Sequence, residues 1–414
     1  MEHVVITGMG IISPLGLSVE EYWHGLVSGR VALSLIPDAS SKDGVRAWSA
    51  VPDEFNPRNS MDAATVRVTD PLTQWSVAAA VEAVAQSGLR QLPPERTAVI
   101  LGSTMGNVPR LLNAQVSLER QGTETVPARL MAQVIPNIPA AHLAMRWGLH
   151  GPLMTISTAC ASSLDAIGQA ARMIERGEVD CALAGGVESL LAPLVHESLE
   201  RARAIVRPSH AQLQARPFDR HRSGFVMGEG AGMVVLEREE SARARGHAIL
   251  ARIRGYGSLA DGYHMTSPDP SGQWEARAMT LALQEAGLEP RSIDAVFAHG
   301  TGTVVGDGAE IQALNQVFPG RPQLAVTSVK GHMGHSMAAS GVMALIAGVQ
   351  SLNQGLVPPT MGTEEVDPAA AFRVVTKEPL PMSVRILVVN AFGFGGQNAS
   401  LVLSRASDQP SGKT

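Results

Sequence analysis

Ala295-Val296-Phe297-Ala298-His299-Gly300-Thr301-Gly302-Thr303 is an apolar strand that ends in a histidine and a glycine turn. The same order stands earlier in the chain, where the strand Thr97 to Leu101 runs into Gly102-Ser103-Thr104. Each strand follows a small-residue helix and a turn, Ser87-Gly88-Leu89 in the first copy and Ala286-Gly287-Leu288 in the second. Residues 77–104 and 276–303 are therefore one unit written twice, far longer than a solenoid repeat.

The correspondence extends outward. Thr155-Ile156-Ser157-Thr158-Ala159-Cys160 leads into a helix over 161–176, and Val326-Thr327-Ser328-Val329-Lys330 leads through Gly331 and Gly334 into a helix that His335 opens. Gly-rich turns at 224–230 and 392–398 precede the strands 231–236 and 399–403. Alternating strands and helices predict an α/β fold with helices packed on parallel or mixed sheets. The repetition predicts two similar halves, 1–250 and 251–414, with no Pro/Gly/Ser-rich linker between them. The polar tail from Ala406 to Thr414 reads as disordered.

Composition narrows the function. Apolar residues make up 45 % of the 414-residue chain, charged residues 17 %, and aromatics only 4 % beside 41 glycines. Small residues suit a dense interior, and a net charge of −5 disfavours a polyanionic partner. Two cysteines exclude a disulfide framework and a cysteine-based zinc site. The first residues carry no basic leader before an apolar stretch, and the apolar runs 182–194 and 337–349 are short and interrupted. The expectation is a cytoplasmic protein without a membrane span.

Chemistry-bearing side chains gather at the repeated strand ends. Cys160 precedes a helix with Leu164, Ile167, Ala171 and Ile174 on one stripe and Arg172 and Arg176 in its last turn. The N-terminus of that helix faces Cys160, where its partial positive charge favours a thiolate. Cys181 lies inside an apolar strand and reads as core. His299, Lys330 and His335 come from the second half; neutral imidazoles there can donate to a developing enolate or oxyanion. Lys330 ends an apolar strand and needs a partner, for which Asp307 and Glu310 are the candidates. His332 reads as a turn residue, and without a suitably spaced carboxylate no metal site is expected. Val4 to Gly10 and Gly300 to Gly306 both miss the spacing of a dinucleotide loop.

Thr158-Ala159-Cys160-Ala161-Ser162-Ser163, Ala298-His299-Gly300-Thr301-Gly302-Thr303, Lys330 with Gly334-His335, and Phe392-Gly393-Phe394-Gly395-Gly396 together resemble the β-ketoacyl-acyl carrier protein synthases. The likeness is to type II condensing enzymes of fatty acid and aromatic polyketide synthesis. Arg216-Pro217-Phe218-Asp219 and Ala260 to Thr266 also match, so the resemblance spans nearly the whole chain. It implies a thiolase-like fold of two βαβαβαββ halves in an α-β-α-β-α core, a homodimer or a heterodimer with a related subunit, and decarboxylative condensation. Cys160 would carry the acyl group, and His299 and His335 would stabilise the enolate of a malonyl-type extender. The amides of Cys160 and Phe394 would form the oxyanion hole. Thr301 and Thr303 would contact the phosphopantetheine arm, with Phe394 and Gly395 bounding the acyl substrate. An acyl carrier protein is the implied partner, and no cofactor is required.

Two departures bear on the pathway. The glutamate that follows the second histidine by nine residues in the fatty-acid enzymes is Ala344 here, and Gln397-Asn398 replaces the commoner Thr-Asn. With Cys160 to Ala166 of polyketide flavour, they favour specialised polyketide or fatty acid synthesis over housekeeping elongation. A thiolase would bring a second cysteine near the C-terminal glycines, and a chain-length-factor-like subunit would lack Cys160. Arg201, Arg203, Arg207, Arg216, Arg220 and Arg222 form a basic stretch in which Arg203 and Arg207 are the first candidates for docking the acidic carrier.

Overall fold

The computed structural model describes residues 3–37, 44–206 and 214–406. Arg207 and all but the first residue of the 406–414 tail lie outside them. The first half runs β1 (Val4–Ile12), α1 (Pro71–Gln86), β2 (Thr97–Gly102), α2 (Ile138–Trp147), β3 (Leu153–Ile156), α3 (Ser162–Glu175), β4 (Cys181–Glu188) and β5 (Gly230–Arg238). The second runs β6 (Ala251–Ala260), α4 (Gln273–Ala286), β7 (Ala295–Phe297), α5 (Val304–Val317), β8 (Ala325–Thr327), α6 (Ser340–Gln354), β9 (Ile386–Gly393) and β10 (Gln397–Ser404).

The strand orders are β3-β2-β4-β5-β1 and β8-β7-β9-β10-β6, the same permutation of each half. In both, the first three neighbours are parallel and the last two pairings antiparallel. The halves are joined edge to edge, because Val4, Val5 and Ile6 of β1 pair with Ile253, Arg252 and Ala251 of β6. Arg373–Val374 extends the far edge beside β8.

Close packing explains the glycines that resemble a nucleotide loop. A Cβ on Gly8 or Gly10 of β1 would stand 1.9 Å from the carbonyl oxygens of Ala83 and Ala79 on α1. The second half repeats the contact: Gly255 and Gly257 of β6 meet the carbonyls of Ala282 and Ala278 on α4, at 2.2 and 2.1 Å. Glycine on the strand and alanine on the helix let each outer helix settle onto its sheet.

The central layer is α3 and α6, whose residues share one core cluster with both sheets. α1 with α2 covers the outer face of the first sheet, and α4 with α5 covers that of the second. The layers are thus α-β-α-β-α. Among the described residues, no helix is long and apolar enough to cross a membrane.

Candidate active site

The two central helices begin in the same unusual way. Ala159–Ala161 forms a 3-10 turn before α3, and Met337–Ala339 forms one before α6. Ala159 and Met337 take positive φ values of 50° and 44°. This conformation costs an L-residue about 1–3 kcal/mol and marks a backbone held for a purpose. Position 160 of one turn corresponds to position 338 of the other, so the duplication places Cys160 opposite Ala338.

The strained turn is braced from below. Ser162 Oγ accepts from the Thr158 amide at 2.9 Å and donates to the Ala159 carbonyl at 2.6 Å. Thr158 donates its hydroxyl to Asp165, which also accepts from the Tyr256 hydroxyl. Gly393 closes over it, since a Cβ there would stand 2.9 Å from both the Cys160 nitrogen and the Thr158 oxygen.

Cys160 Sγ lies 3.0 Å from Nε2 of His335, and His335 Nδ1 lies 2.8 Å from Ser340 Oγ. With the Ser340 hydroxyl donating, Nε2 carries the proton and presents it to sulfur. His335 does not open a helix, contrary to the sequence expectation. A short helix ends at Met333, Gly334 turns at φ 67°, and α6 begins only at Ser340. The imidazole therefore projects from an extended segment, held by its amide on the Val226 carbonyl at 2.7 Å.

The His299 ring packs edge-on to that of His335, with centroids 5.3 Å apart, and Phe392 and Phe225 flank the pair. Lys330 donates to the His299 carbonyl, and its Nζ stands 3.5 Å from Nδ1. The expected direct ion pair of Lys330 with Asp307 or Glu310 is not formed. Glu310 instead accepts from the amides of His299 and Gly300, at 2.9 and 2.7 Å, and from Asn390. Asp307 accepts from the amides of Thr301, Gly302 and Phe218. The carboxylates are consumed by the loop's own N–H groups, so lysine and glutamate grip the same peptide from two sides and interact through space. His332, read as a turn residue, is buried and bonds the carbonyls of Arg30 and Pro359.

Burial dominates the electrostatics. It holds both histidines well below the usual imidazole range, with the Lys330 charge acting in the same direction. Burial brings Lys330 down to about 8, opposed by the charge of Glu310. It pushes the Cys160 thiol up to about 11 against the Lys330 charge and the Phe394 amide. Burial thus works against the thiolate expected at the helix end.

Thr301 and Thr303 face each other with hydroxyls 3.0 Å apart, and Thr303 caps α5 through the Gly306 amide. Phe394 is exposed, and the Gly395 amide bonds the carbonyl of Met265. Cys181 is buried in β4, away from the histidines. Glu188 went unnoticed in sequence. It is fully buried at the end of β4 and accepts from Thr104 through both amide and hydroxyl at one oxygen, while the other has no partner among the described residues. Its proximity to Cys160 raises the thiol further. No local pattern around Glu188 signals this, because its partners are remote in sequence.

The ligand atoms of Cys160, His299 and His335 lie within 4.8 Å of one another, a spacing that a soft cation can also use. The Lys330 ammonium beside His299 opposes a second positive charge there. A buried thiol, two neutral imidazoles, a lysine and the amides of residues 160 and 394 are instead the parts of an acyl-transfer site.

Comparison with known proteins bears on this chemistry. Residues 1–242 match the family model described as beta-ketoacyl synthase, N-terminal domain, and residues 250–364 match its C-terminal domain. A 3-oxoacyl-[acyl-carrier-protein] synthase 2 of Coxiella burnetii is 34 % identical over 410 residues, covering 98 % of this chain and 99 % of the relative. The protein of the same description from Vibrio cholerae is 35 % identical, covering 97 % and 99 %. Among solved structures, the ishigamide ketosynthase/chain length factor superposes with a TM-score of 0.92 at 33 % identity, covering 98 % of this chain and 100 % of that one. A type II polyketide ketosynthase, solved with its acyl-carrier protein and bound to a hexaketide, gives 0.87 at 26 % identity, with the same coverage.

Proposed function

The chain belongs to the beta-ketoacyl synthase family and is an acyltransferase of the condensing type, and on that premise we propose how its residues divide the work. The observation that carries the proposal is the convergence of Cys160 Sγ, His335 and His299 in one buried pocket with Lys330 behind them.

In the first stage Sγ attacks the thioester carbonyl of an acyl group borne on a carrier protein's phosphopantetheine. The amides of Cys160 and Phe394 receive the oxyanion. The C–S bond to the pantetheine breaks, and the thiol proton of Cys160 ends on the departing sulfur. The exposed Phe394 ring and Gly395 bound the acyl chain, while Thr301 and Thr303 meet the arm.

In the second stage a malonyl thioester loses carbon dioxide. The electron pair of the broken C–C bond becomes an enolate whose oxygen accepts from His299 and His335. Lys330, donating towards Nδ1 of His299, fixes the tautomer that presents Nε2–H to that oxygen. The enolate carbon then attacks acyl-Cys160, and the sulfur leaves. No cofactor enters beyond the carrier's own arm, and the two free cysteines suit a cytoplasmic setting.

The pathway we assign is specialised polyketide or fatty acid synthesis. Supporting it, Ala344 sits in an apolar interior where no carboxylate can pair with Lys330. The partner we assign is an acidic acyl carrier protein. Of the basic stretch, Arg201 pairs with Glu197, Arg220 with Glu365 and Arg222 with Asp367. Arg203, exposed just beyond the helix Pro193–Arg201, is the member we assign to meet the carrier.

We also assign a second, identical or related chain to the free edge of β3. That strand ends its sheet, and Leu153 and Met154 are 45 % and 38 % exposed. An apolar, unpaired edge is a template for another strand.

Mixing the enzyme with acyl- and then malonyl-carrier protein, followed by intact-protein mass spectrometry, tests the reading. An acyl adduct that disappears with formation of the two-carbon-longer ketone supports it, and absence of the adduct overturns it.

A further inference from the structure

Trp48 carries an indole N–H that is buried without any hydrogen-bond partner among the described residues. A buried donor left unpaired is costly, and buried indoles ordinarily find an acceptor. Its place in the fold gives the orphan meaning. The strand Val45–Ser49 pairs in parallel with Met227–Gly228, with Trp48 opposite Met227. Met227 in turn forms a parallel bridge with His335. Trp48, Met227 and His335 are thus three residues abreast, and residues abreast in a ladder project from the same face.

The His335 side chain on that face reaches Cys160 Sγ. Met227 belongs to the apolar cluster built around Cys160 with Leu190, Phe225 and Met337, and Trp48 packs against that cluster. An acyl group on Cys160 has this cluster as its apolar surroundings. Two strand spacings, about 10 Å, separate Trp48 from His335 across the ladder. At roughly 1.5 Å per carbon–carbon bond, this is the reach of an acyl chain of about six to eight carbons.

We propose that Trp48 is a specificity residue of the acyl site: its N–H selects acyl chains that carry an oxygen acceptor, a ketone or hydroxyl, about six to eight carbons from the thioester. A saturated chain leaves the donor orphaned, whereas an oxygenated chain satisfies it. The inference rests on the assignment of Cys160 as acyl carrier and adds to it the class of acyl group.

The test compares two pantetheine thioesters of equal length, one saturated and one bearing a ketone at the seventh carbon, by the rate of adduct formation on Cys160. The wild-type protein should load the ketone about tenfold faster. Trp48→Phe should erase that preference. Equal rates in the wild type, or a preference that survives in the variant, overturn the proposal. Failure to load either thioester onto wild-type Cys160 would instead refute the acyl-carrier assignment itself. If Trp48→Phe unfolds the pocket, replacing Trp48 by its benzothiophene analogue exchanges N–H for sulfur at constant shape. Loss of preference in that protein supports the proposal, and its retention defeats it.

Discussion

Lys330 Nζ stands 3.5 Å from His299 Nδ1 and donates to the carbonyl of the same residue, so one cation fixes both ring and backbone. Burial brings this lysine down to about 8. Below that pH it is charged and holds the His299 tautomer; above it the ammonium is lost. Malonyl decarboxylation should therefore decline as pH rises through about 8. Lys330→Arg, whose guanidinium does not titrate in this range, should move that limb upward. A rate that stays flat from pH 7 to 9.5 in the wild type would remove lysine from the chemistry.

His299→Ala and His335→Ala should separate the two half-reactions. Each removes one donor to the enolate, a loss on the order of 10²–10³ in condensation rate. Acyl-Cys160 should still form and accumulate. Single-turnover loading, measured beside product formation, checks the split; full condensation by either variant contradicts the enolate role.

Cys160 and Cys181 are both buried, yet only one adjoins a histidine. Peptide mapping after acyl loading should place the added mass on Cys160, and Cys160→Ala should abolish it. Cys181→Ala should load normally. An adduct on Cys181 would reverse the assignment.

Much of this was legible in sequence. Two small-residue helices with their glycine turns, two strand ends and one cysteine suffice to place the halves and to nominate Cys160, His299, Lys330 and His335. What escaped was decided by contacts remote in the chain. The position of His335 ahead of α6 depends on left-handed backbone at Gly334 and Met337, and Met337 is a residue type that gives no hint of it. The partner of Lys330 was misjudged because Glu310 is spent on the amides of its own loop. The burial that opposes ionisation of the thiol is invisible in a helix-end argument.

Glu275 offers a stability test. Its carboxyl is buried in the first turn of α4, one oxygen has no partner among the described residues, and burial together with Glu310 raises it well above the usual carboxylate range. An acid raised on folding costs stability as pH climbs from its unfolded value of about 4.3 towards its folded one. Glu275→Gln should therefore raise Tm near pH 7, on the order of 2 °C. The gain should vanish near pH 3, well below the unfolded value, where both states are protonated. Thermal melts across that range would expose a gain at low pH instead, which this account forbids.

Arg203→Glu should raise KM for carrier-bound acyl substrate several-fold and spare pantetheine thioesters that lack the protein. Added salt should imitate the change, since screening acts within about 8–10 Å at ordinary ionic strength. Equal losses with both substrates would mean that this arginine supports the fold.

The matched bends at Ala159 and Met337 carry a history. A chain made by copying one half would begin with two equal nucleophile elbows facing each other across a dyad. Here one kept a sulfur and the other came to hold Ala338. The second elbow thus lacks a nucleophile. Its loss looks like division of labour: one copy retained the bond-making atom, and the other was released to supply the imidazoles that serve it.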